Sequence, residues 1–367
     1  MRVVFRADSS REIGSGHVMR CMALADELSR RGAECSFVSR VREGSMAGLL
    51  RQAGYDVAEL RDDEGAEEAV GGGADAAPLA HAGWLGCSWQ QDAAQTLDLL
   101  TRQPPDWLVV DHYALDYRWQ QAVRMQAGRL LVIDDLADRR HDCDLLLDQN
   151  YYGDMYTRYD GLTPPQCRRL LGPGYVMLRQ EFVVARRGLR HRDGRIRRIL
   201  VFFGGSDPTN QTANVLKAWR RVRREGVALD VVIGAANPHR AEIEQLCGSL
   251  PDVALHCQVS NMAELIAAAD LGIGAGGVAM WERCYLGLPS ITVAFADNQV
   301  RTTEDVANLG AIVYLGRCNG FSDDEYVQAI SGILDNAGQL KRMSELSVEL
   351  VKSGAETVAN ILLGEEV

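Results

Sequence analysis

Short, almost continuous apolar runs recur along the first half of the chain, separated by segments in which apolar residues have helical spacing. Such runs are typical of parallel strands that are covered on both faces. Their alternation with helices predicts a doubly wound α/β sheet. The clearest predicted strands are Val3–Phe5, Ala33–Arg40, Tyr55–Leu60, Trp107–Asp111, Leu130–Asp134 and Leu145–Leu147.

The same alternation restarts in the second half of the chain. Helices are predicted between the new strands, and the C-terminal part is predicted to be mainly helical. Ligands of parallel α/β sheets bind at the carboxyl ends of the strands, so polar residues at those ends are candidate site residues. The predicted strands of this half are Ile199–Phe203, Leu229–Ile233, Val253–His256, Leu271–Ile273 and Ser290–Phe295.

These patterns predict four segments of the chain. A Rossmann-like domain spans residues 1–185, and the charged stretch 186–197, which has no apolar run, is predicted to be a linker. A second Rossmann-like domain spans residues 198–345. The last segment, 346–367, is predicted to be a helix that packs back toward the first domain. Two such domains predict a cleft between them, where we expect the chemistry.

A glycine loop, Gly14–Gly16, follows the first predicted strand and leads into a helix that begins with His17. This layout directs backbone N–H groups and a positive helix end at an anion. The spacing differs from the dinucleotide motif G-x-G-x-x-G, because residue 19 is Met, and the chain has no phosphate-binding P-loop motif. A histidine here can titrate near neutral pH. From spacing alone, catalysis by His17 and simple helix capping are equally plausible.

A denser glycine cluster, Gly274–Gly277, follows another apolar strand. Gly276 and Gly277 would let a diphosphate approach the backbone at the start of a helix. Glu282, about one and a half turns into that helix, could accept two hydrogen bonds from a ribose diol. The alternative is a solvated helix glutamate, and we favour the ribose role because the glycine cluster is dense.

A third glycine turn contains Gly205 and Ser206, which could donate hydrogen bonds to phosphate or sugar oxygens. Asp207 or Thr209 in the same turn could also simply cap the next helix, which is compatible with that role.

Further polar residues stand at predicted strand ends: Asp111–Tyr113, Asp134–Asp135 and Asp148–Asn150. Paired aspartates raise the possibility of a metal site, but a metal-independent site is favoured. Three aromatic residues, His81, Trp84 and Trp89, could form a platform for a sugar or a base, or could simply pack in the core.

The composition restricts partners and location. A net charge of −11 argues against nucleic acid, and the Arg-rich stretch Arg186–Arg198 is better explained as a solvated linker than as a nucleic-acid patch. Nine cysteines without a C-x-x-C pair indicate buried thiols. No apolar run reaches the roughly 20 residues of a membrane helix. The N-terminus does not resemble a signal peptide. We therefore expect a cytoplasmic protein without membrane insertion; its oligomeric state is not predicted.

One combination of motifs resembles a known family. The stretch RADSSREIGSGHVMRCMALA is similar to the N-terminal signature of the UDP-2,4-diacetamido-2,4,6-trideoxy-β-L-altropyranose hydrolases of pseudaminic acid biosynthesis. The resemblance covers nearly the full chain. It continues in WLVVDHYALD, IDDLADRRHDCDLLLDQNYY, GPGYVMLRQEF, FFGGSDPTN and GAGGVAMWERCYLGLPSITVAFADNQ.

The resemblance implies a GT-B-like fold, in which two Rossmann-like domains have parallel sheets facing a central cleft and the second domain holds most of a UDP-sugar. It also implies hydrolysis by water at the anomeric carbon, with inversion and without a metal or cofactor. The acidic, glycine-rich stretch 61–77 departs from the family and is expected to be a surface insertion.

The resemblance also implies roles for particular residues. His17 is the expected catalytic residue, with Gly16 beside it at the substrate. Glu282 is expected at the uridine ribose, and Asn150 near the substrate. Gln299, which lies in the AFADNQ stretch, is also expected to bind substrate. Two rival activities remain open at this point, a GT-B glycosyltransferase with a UDP-sugar donor and a hydrolysing UDP-sugar 2-epimerase.

Overall fold

The computed structural model describes residues 1–61, 79–318 and 321–365. The insertion expected at 61–77 thus lies, except for residue 61, outside the described residues. The chain divides into two compact units, which are described separately. Unit 1 comprises Met1–Asn150, Asp154–Arg179 and Ser353–Val367, and unit 2 comprises Tyr151–Gly153 and Gln180–Lys352.

Strands and helices are numbered in chain order. The strands are β1 (Arg2–Ala7), β2 (Glu34–Arg40), β3 (Asp56–Leu60), β4 (Trp107–Asp111), β5 (Arg129–Ile133), β6 (Leu145–Asp148), β7 (Arg168–Leu171), β8 (Arg198–Phe202), β9 (Ala228–Ile233), β10 (Val253–Cys257), β11 (Leu271–Ala275), β12 (Ser290–Ala294) and β13 (Val313–Arg317). The α-helices are α1 (Gly16–Arg30), α2 (Ala47–Gln52), α3 (Trp89–Arg102), α4 (Tyr117–Val123), α5 (Gln180–Arg187), α6 (Gln211–Val222), α7 (Arg240–Gly248), α8 (Met262–Ala268), α9 (Val278–Tyr285), α10 (Asp297–Asn308), α11 (Asp323–Leu334), α12 (Ala337–Leu350) and α13 (Gly354–Leu363). Among the described helices, none combines the length and the apolar character needed to span a bilayer.

Unit 1 is built on a parallel sheet with the strand order β3-β2-β1-β4-β5-β6-β7. β1 lies inside the sheet, where Val4 is in register with Ser36 of β2 and Leu108 of β4. The order reverses between β1 and β4, which makes this the topological switch point of the sheet. The prediction of a doubly wound sheet is confirmed.

Unit 2 repeats this plan with the strand order β10-β9-β8-β11-β12-β13, again with parallel neighbours. Its switch point lies between β8 and β11, where Phe202 is in register with Gly274. The predicted fold class, α/β with two Rossmann-like units, is confirmed.

Apolar side chains cover both faces of the unit 1 sheet. Successive residues of a strand point to opposite faces. On β4, Val109 therefore packs in the core that includes α1, whereas Leu108 and Val110 pack in the core that includes Trp119 of α4. Burial on both faces explains why this strand is an unbroken apolar run in the sequence.

The C-terminal helix α13 completes the core of unit 1. Val358 is fully buried in the same cluster as residues of α1. The indole Nε1 of Trp107 donates to the carbonyl of Leu362 at 3.0 Å. At the start of the helix, a Cβ on Gly354 would meet the backbone of Tyr175 at 2.1 Å, so a side chain does not fit there.

The charged stretch 186–197 is exposed at most of its positions, but one of its arginines departs from the solvated state expected from its charge. Arg192 within it is only 5% exposed. Its guanidinium donates to the carbonyls of Ala269 and Leu286, which terminate α8 and α9. Burial lowers the pKa of Arg192 to about 10. The charged pattern is misleading because an arginine can be buried by bonding the unpaired carbonyls at helix ends.

Two strands, β7 and β13, were not predicted from the sequence. Both are edge strands of their sheets. β7 has the sequence RRLL, and β13 contains Gly316 next to a register shift against β12. Only one residue of these two strands, Leu170, is buried, so neither strand has the apolar run that revealed the central strands.

Four charged side chains form a fully buried cluster beside the unit 1 sheet. Arg6 of β1 contacts Asp8 at 2.6 Å and Asp92 of α3 at 2.7 Å, and Arg40 of β2 contacts Asp92 at 3.1 Å. The indole Nε1 of Trp119 also donates to Asp92 at 2.9 Å. Each charged member is at most 2% exposed. Two positive and two negative charges balance, which is the condition under which such burial is tolerated.

Replacement of Asp92 by alanine should strongly destabilise unit 1, because it leaves two buried guanidinium groups without their shared carboxylate. The expected loss in the free energy of unfolding is about 3–5 kcal/mol. Urea denaturation followed by circular dichroism measures it. The matched control is Asp98→Ala, an exposed aspartate of the same helix, which should change stability by less than about 0.5 kcal/mol. Equal effects of the two substitutions would contradict this account of the cluster.

Candidate active site

His17 lies in the first turn of α1, at the carboxyl edge of β1 and β4. Its Nδ1 is 2.5 Å from Oδ1 of Asp111, the last residue of β4. His17 is 6% exposed and Asp111 1%. The N-cap of α1 is Ser15, so helix capping does not explain His17. The structure therefore brings the predicted histidine and a strand-end aspartate together at the switch point.

Arg20, one turn further along α1, shares the same carboxylate. Its Nε and Nη2 donate to the two oxygens of Asp111, both at 2.6 Å. Burial alone would raise the pKa of Asp111, but the charges of Arg20 and His17 outweigh burial and hold it well below its usual range. Asp111 is thus ionised at neutral pH and accepts the proton on Nδ1 of His17. Nε2 is then the ring nitrogen left for chemistry.

The network continues to the predicted substrate residue Asn150. Nη1 of Arg20 donates to Oδ2 of Asp135 at 3.1 Å, and Nδ2 of Asn150 donates to the same oxygen at 3.3 Å. The hydroxyl of Tyr113 donates to the other oxygen of Asp135. His17 and Asn150 are therefore connected through two carboxylates and one guanidinium.

Asp148 fixes the backbone at Asn150. Its Oδ1 accepts the backbone N–H of Asn150 at 3.0 Å. Burial, followed by the negative charge of Asp135, raises the pKa of Asp148 to about 8. Asp148 is thus mainly protonated at neutral pH and adds little negative charge to the network.

Arg20 was missed by the sequence analysis, and Asp111 was named there without a role. Arg20 is the third residue after His17, and this i, i+3 spacing, which places both side chains on one face of α1, was a usable signal. The strand-end aspartates were considered as metal ligands. The carboxylates of Asp111, Asp134 and Asp135 contact arginines instead. In the parts of the chain that the structure describes, no three histidine, cysteine or acidic side chains are grouped to hold a metal ion.

The predicted glycine turn of unit 2 lies where β11 meets α9. Gly277 is the N-cap of α9 and has a positive φ of 68°. A Cβ on Gly276 would meet Thr303 at 3.0 Å, and one on Gly277 would meet the side-chain amide of Gln299 at 3.2 Å. Oε1 of Gln299 accepts the backbone N–H of Phe295 at 3.0 Å, which fixes that amide. The structure therefore brings Gly276, Gly277 and Gln299 together.

Gly205 and Ser206 lie at the carboxyl end of β8, on the other side of the unit 2 switch point, and both are exposed. Asp207 next to them is buried and accepts the backbone N–H groups of Gln211 and Thr212 at 2.9 and 2.8 Å. Asp207 thus caps the first turn of α6 with its side chain, although the N-cap position itself is Asn210. Because its carboxylate already occupies the start of α6, this turn can offer loop donors but not an open helix end.

Glu282 is a buried residue of α9, 8% exposed, so the alternative of a solvated helix glutamate is wrong. It lines a small, largely apolar cavity with Leu200 and Phe202 of β8. The neighbouring Arg283 donates to the carbonyl of Ala275 at 2.7 Å and so holds the end of β11 next to the glycine turn. Burial lowers the pKa of Arg283 to about 10.

Comparison with known proteins extends this description. Residues 199–362 match the family model of the glycosyltransferase family 28 C-terminal domain. The chain is 22% identical, over 84% of its length, to the UDP-2,4-diacetamido-2,4,6-trideoxy-beta-L-altropyranose hydrolase of Campylobacter jejuni, of which the match covers 97%. It is 29% identical over half of its length to the spore coat polysaccharide biosynthesis protein SpsG of Bacillus subtilis, of which it covers 54%.

Solved structures show the same architecture. MurG of Acinetobacter baumannii superposes with a TM-score of 0.68 at 14% identity, with 99% of each chain covered. A UDP-GlcNAc 2-epimerase of Neisseria meningitidis superposes with a TM-score of 0.61 at 13% identity, again over 99% of each chain. The chain is thus an α/β protein of GT-B-like fold that carries a match to the family 28 C-terminal domain and resembles the Campylobacter hydrolase over most of its length.

Proposed function

We propose that this protein hydrolyses a UDP-sugar, UDP-2,4-diacetamido-2,4,6-trideoxy-β-L-altropyranose, in pseudaminic acid biosynthesis. The name of the Campylobacter relative states this hydrolase, and the similarity extends over nearly all of that protein. The observation that carries the proposal is the buried pair of His17 and Asp111 at the switch point, 2.5 Å apart. A histidine oriented by a carboxylate is suited to activating water.

In the proposed reaction, water attacks the anomeric carbon from the face opposite UDP. Nε2 of His17 accepts the proton of the water while the bond between the anomeric carbon and the oxygen of UDP breaks. The electron pair of that bond leaves with UDP. Because water enters from the opposite face, the configuration at the anomeric carbon inverts. Asp111 holds the imidazole and stabilises the imidazolium that forms. General-base help of this kind contributes roughly 10²–10⁴-fold to the rate.

The leaving group is assigned to unit 2. The N–H group of Gly277 and the start of α9 stabilise the charge that develops on the diphosphate. Gly276, whose own N–H already donates to the carbonyl of Val293 at 2.8 Å, lets the diphosphate approach the backbone. Gly205 and Ser206 supply further donors from the neighbouring turn. Glu282 accepts the ribose hydroxyls. This assignment requires no metal ion, since the charge is met by backbone dipoles.

The remaining predicted residues are assigned to the edges of the substrate. Asn150 and the backbone of Gly16 contact the sugar, and the fixed amide of Gln299 contacts the nucleotide next to Gly277.

A glycosyltransferase is the second candidate, and the match to the family 28 C-terminal domain favours it. It would use the same nucleotide-binding turn but transfer the sugar to an acceptor. Incubation of the protein and UDP-sugar in ¹⁸O-labelled water without an acceptor distinguishes the two, because only hydrolysis places the label on the sugar. A 2-epimerase that eliminates UDP would instead incorporate deuterium at C2 in heavy water.

Replacement of His17 by asparagine should lower kcat for UDP release by roughly 10²–10⁴-fold, because the water loses its base. Asp111→Asn should also lower kcat, since it removes the charge that orients the imidazole. UDP affinity, measured by calorimetry, should stay unchanged in both. The matched control is the exposed His191→Asn, which should keep full activity. A His17→Asn enzyme with near-normal turnover would exclude His17 as the base.

Replacement of Glu282 by glutamine should raise KM for the UDP-sugar and the inhibition constant of UDP together, while kcat changes little, because the ribose contact is made equally before and during the reaction. Steady-state kinetics with UDP as a product inhibitor measure both. The exposed Glu345→Gln serves as control. Unchanged UDP inhibition in a folded Glu282→Gln enzyme would refute the ribose role.

Prolonged treatment with EDTA should leave the rate of UDP release unchanged, since charge neutralisation is assigned to backbone dipoles. A loss of activity that added Mg²⁺ restores would return the strand-end aspartates to consideration as metal ligands.

A further inference from the structure

Four aromatic rings form a cluster at the carboxyl edge of unit 1. The ring of Tyr113 meets His17 edge-on, with 4.5 Å between centroids. Trp84 stacks on Tyr113 at 5.6 Å with an interplanar angle of 27°. His81 lies 4.4 Å from Trp84 and 5.3 Å from Tyr113. The cluster thus extends outward from the proposed catalytic histidine.

Exposure divides this cluster into an inner and an outer part. His17 and Tyr113 are buried, whereas Trp84 and His81 are only partly buried. Burial lowers the pKa of His81 below its ordinary value, so its ring is uncharged at neutral pH. Trp84 and His81 therefore present uncharged aromatic surface next to the site.

The turn that carries Trp84 is anchored by the residues that follow it. Ala82–Leu85 forms a 3-10 turn, and the side chain of Leu85 is anchored in the core at 2% exposure. Gly86, with a φ of 74°, ends the turn, and the hydroxyl of Ser88 caps α3 immediately after it. The position of the Trp84 ring is therefore determined by the fold.

Trp89 does not belong to this surface, although the sequence analysis grouped it with Trp84. It lies on α3, with the guanidinium of Arg118 at 5.7 Å from its ring. The two tryptophans are five residues apart but have different surroundings, which makes Trp89 a suitable control.

We propose that Trp84, supported by His81, forms an apolar wall of the sugar subsite and selects sugars whose C–H face and methyl groups are apolar, such as an N-acetylated 6-deoxyhexose. This inference rests on the proposed hydrolase function. A pyranose has hydroxyl groups on its rim and C–H groups on its faces, and a rigid aromatic ring offers a large flat surface to such a face. Acetamido methyl groups and a 6-methyl group form no hydrogen bonds and are held best where water is excluded. A 6-hydroxyl against the ring face of Trp84 would lose its water and gain no hydrogen bond from that face.

The experiment compares Trp84→Leu, which keeps an apolar side chain but removes the ring, with Trp84→Phe and the control Trp89→Leu. Trp84→Leu should lower kcat/KM for the UDP-sugar about tenfold, the effect of one lost aromatic contact. Trp84→Phe should restore most of the loss. UDP inhibition should not change in any of them. The preference of the wild type for the 6-deoxy sugar over its 6-hydroxy parent should shrink in Trp84→Leu.

A binding measurement separates failure of the wall from failure of the hydrolase. Saturation-transfer NMR with UDP-sugar on His17→Asn should show strong saturation of the sugar methyl protons, and His17→Asn combined with Trp84→Leu should lose it. If the wild type releases UDP and Trp84→Leu has the same kcat/KM as Trp89→Leu, the proposed role of Trp84 is wrong and the proposed hydrolase function is retained. If no UDP is released, the hydrolase is wrong, and equal methyl saturation with and without Trp84 would reject the wall as well.

Discussion

The carboxylate of Asp111 is the group on which the site of unit 1 depends. It ends the strand next to the switch point, and its two oxygens take hydrogen bonds from both His17 and Arg20 of α1. A buried carboxylate stays ionised only where such partners exist. The negative charge of Asp111 thus orients His17, and the positive charge of Arg20 keeps Asp111 ionised. The position of each of these three side chains therefore depends on the other two.

That arrangement is possible because the layer around β1 already accommodates buried charge. Arg6 and Asp8, on and just beyond β1, pair with each other, and Asp92 of α3 completes the pairing. His112, which directly follows Asp111, lies 3.1 Å from Asp8. The buried charged cluster beside the unit 1 sheet and the network around His17 are therefore linked through two adjacent residues at the end of β4, His112 and Asp111. These paired charges hold both residues at the end of β4, Asp111 beside His17 and His112 beside Asp8.

The sequence revealed the parts of this fold that follow from local patterns. Central strands appeared as apolar runs because both faces are covered, and the glycine turns marked where backbone must approach other groups closely, as at Gly277. The ion pairs between aspartates and arginines could not be predicted from the sequence, because the strand order decides which aspartate lies next to which arginine. Arg192 shows the same limit: its charge indicated solvent, yet the carbonyls that bind it come from helix ends more than 70 residues away.

Charge also decides which end of a nucleotide sugar each unit could accept. Near His17, the guanidinium of Arg20 is already bonded to the carboxylates of Asp111 and Asp135, so it is not open to a diphosphate. An uncharged sugar does not need such a cation. At α9 the situation is reversed: the first turn holds no acidic residue, so nothing cancels the positive field of the helix start above Gly277. These charges support the proposed assignment of the sugar to the histidine and of the diphosphate to the glycine turn, and this support does not depend on any relative.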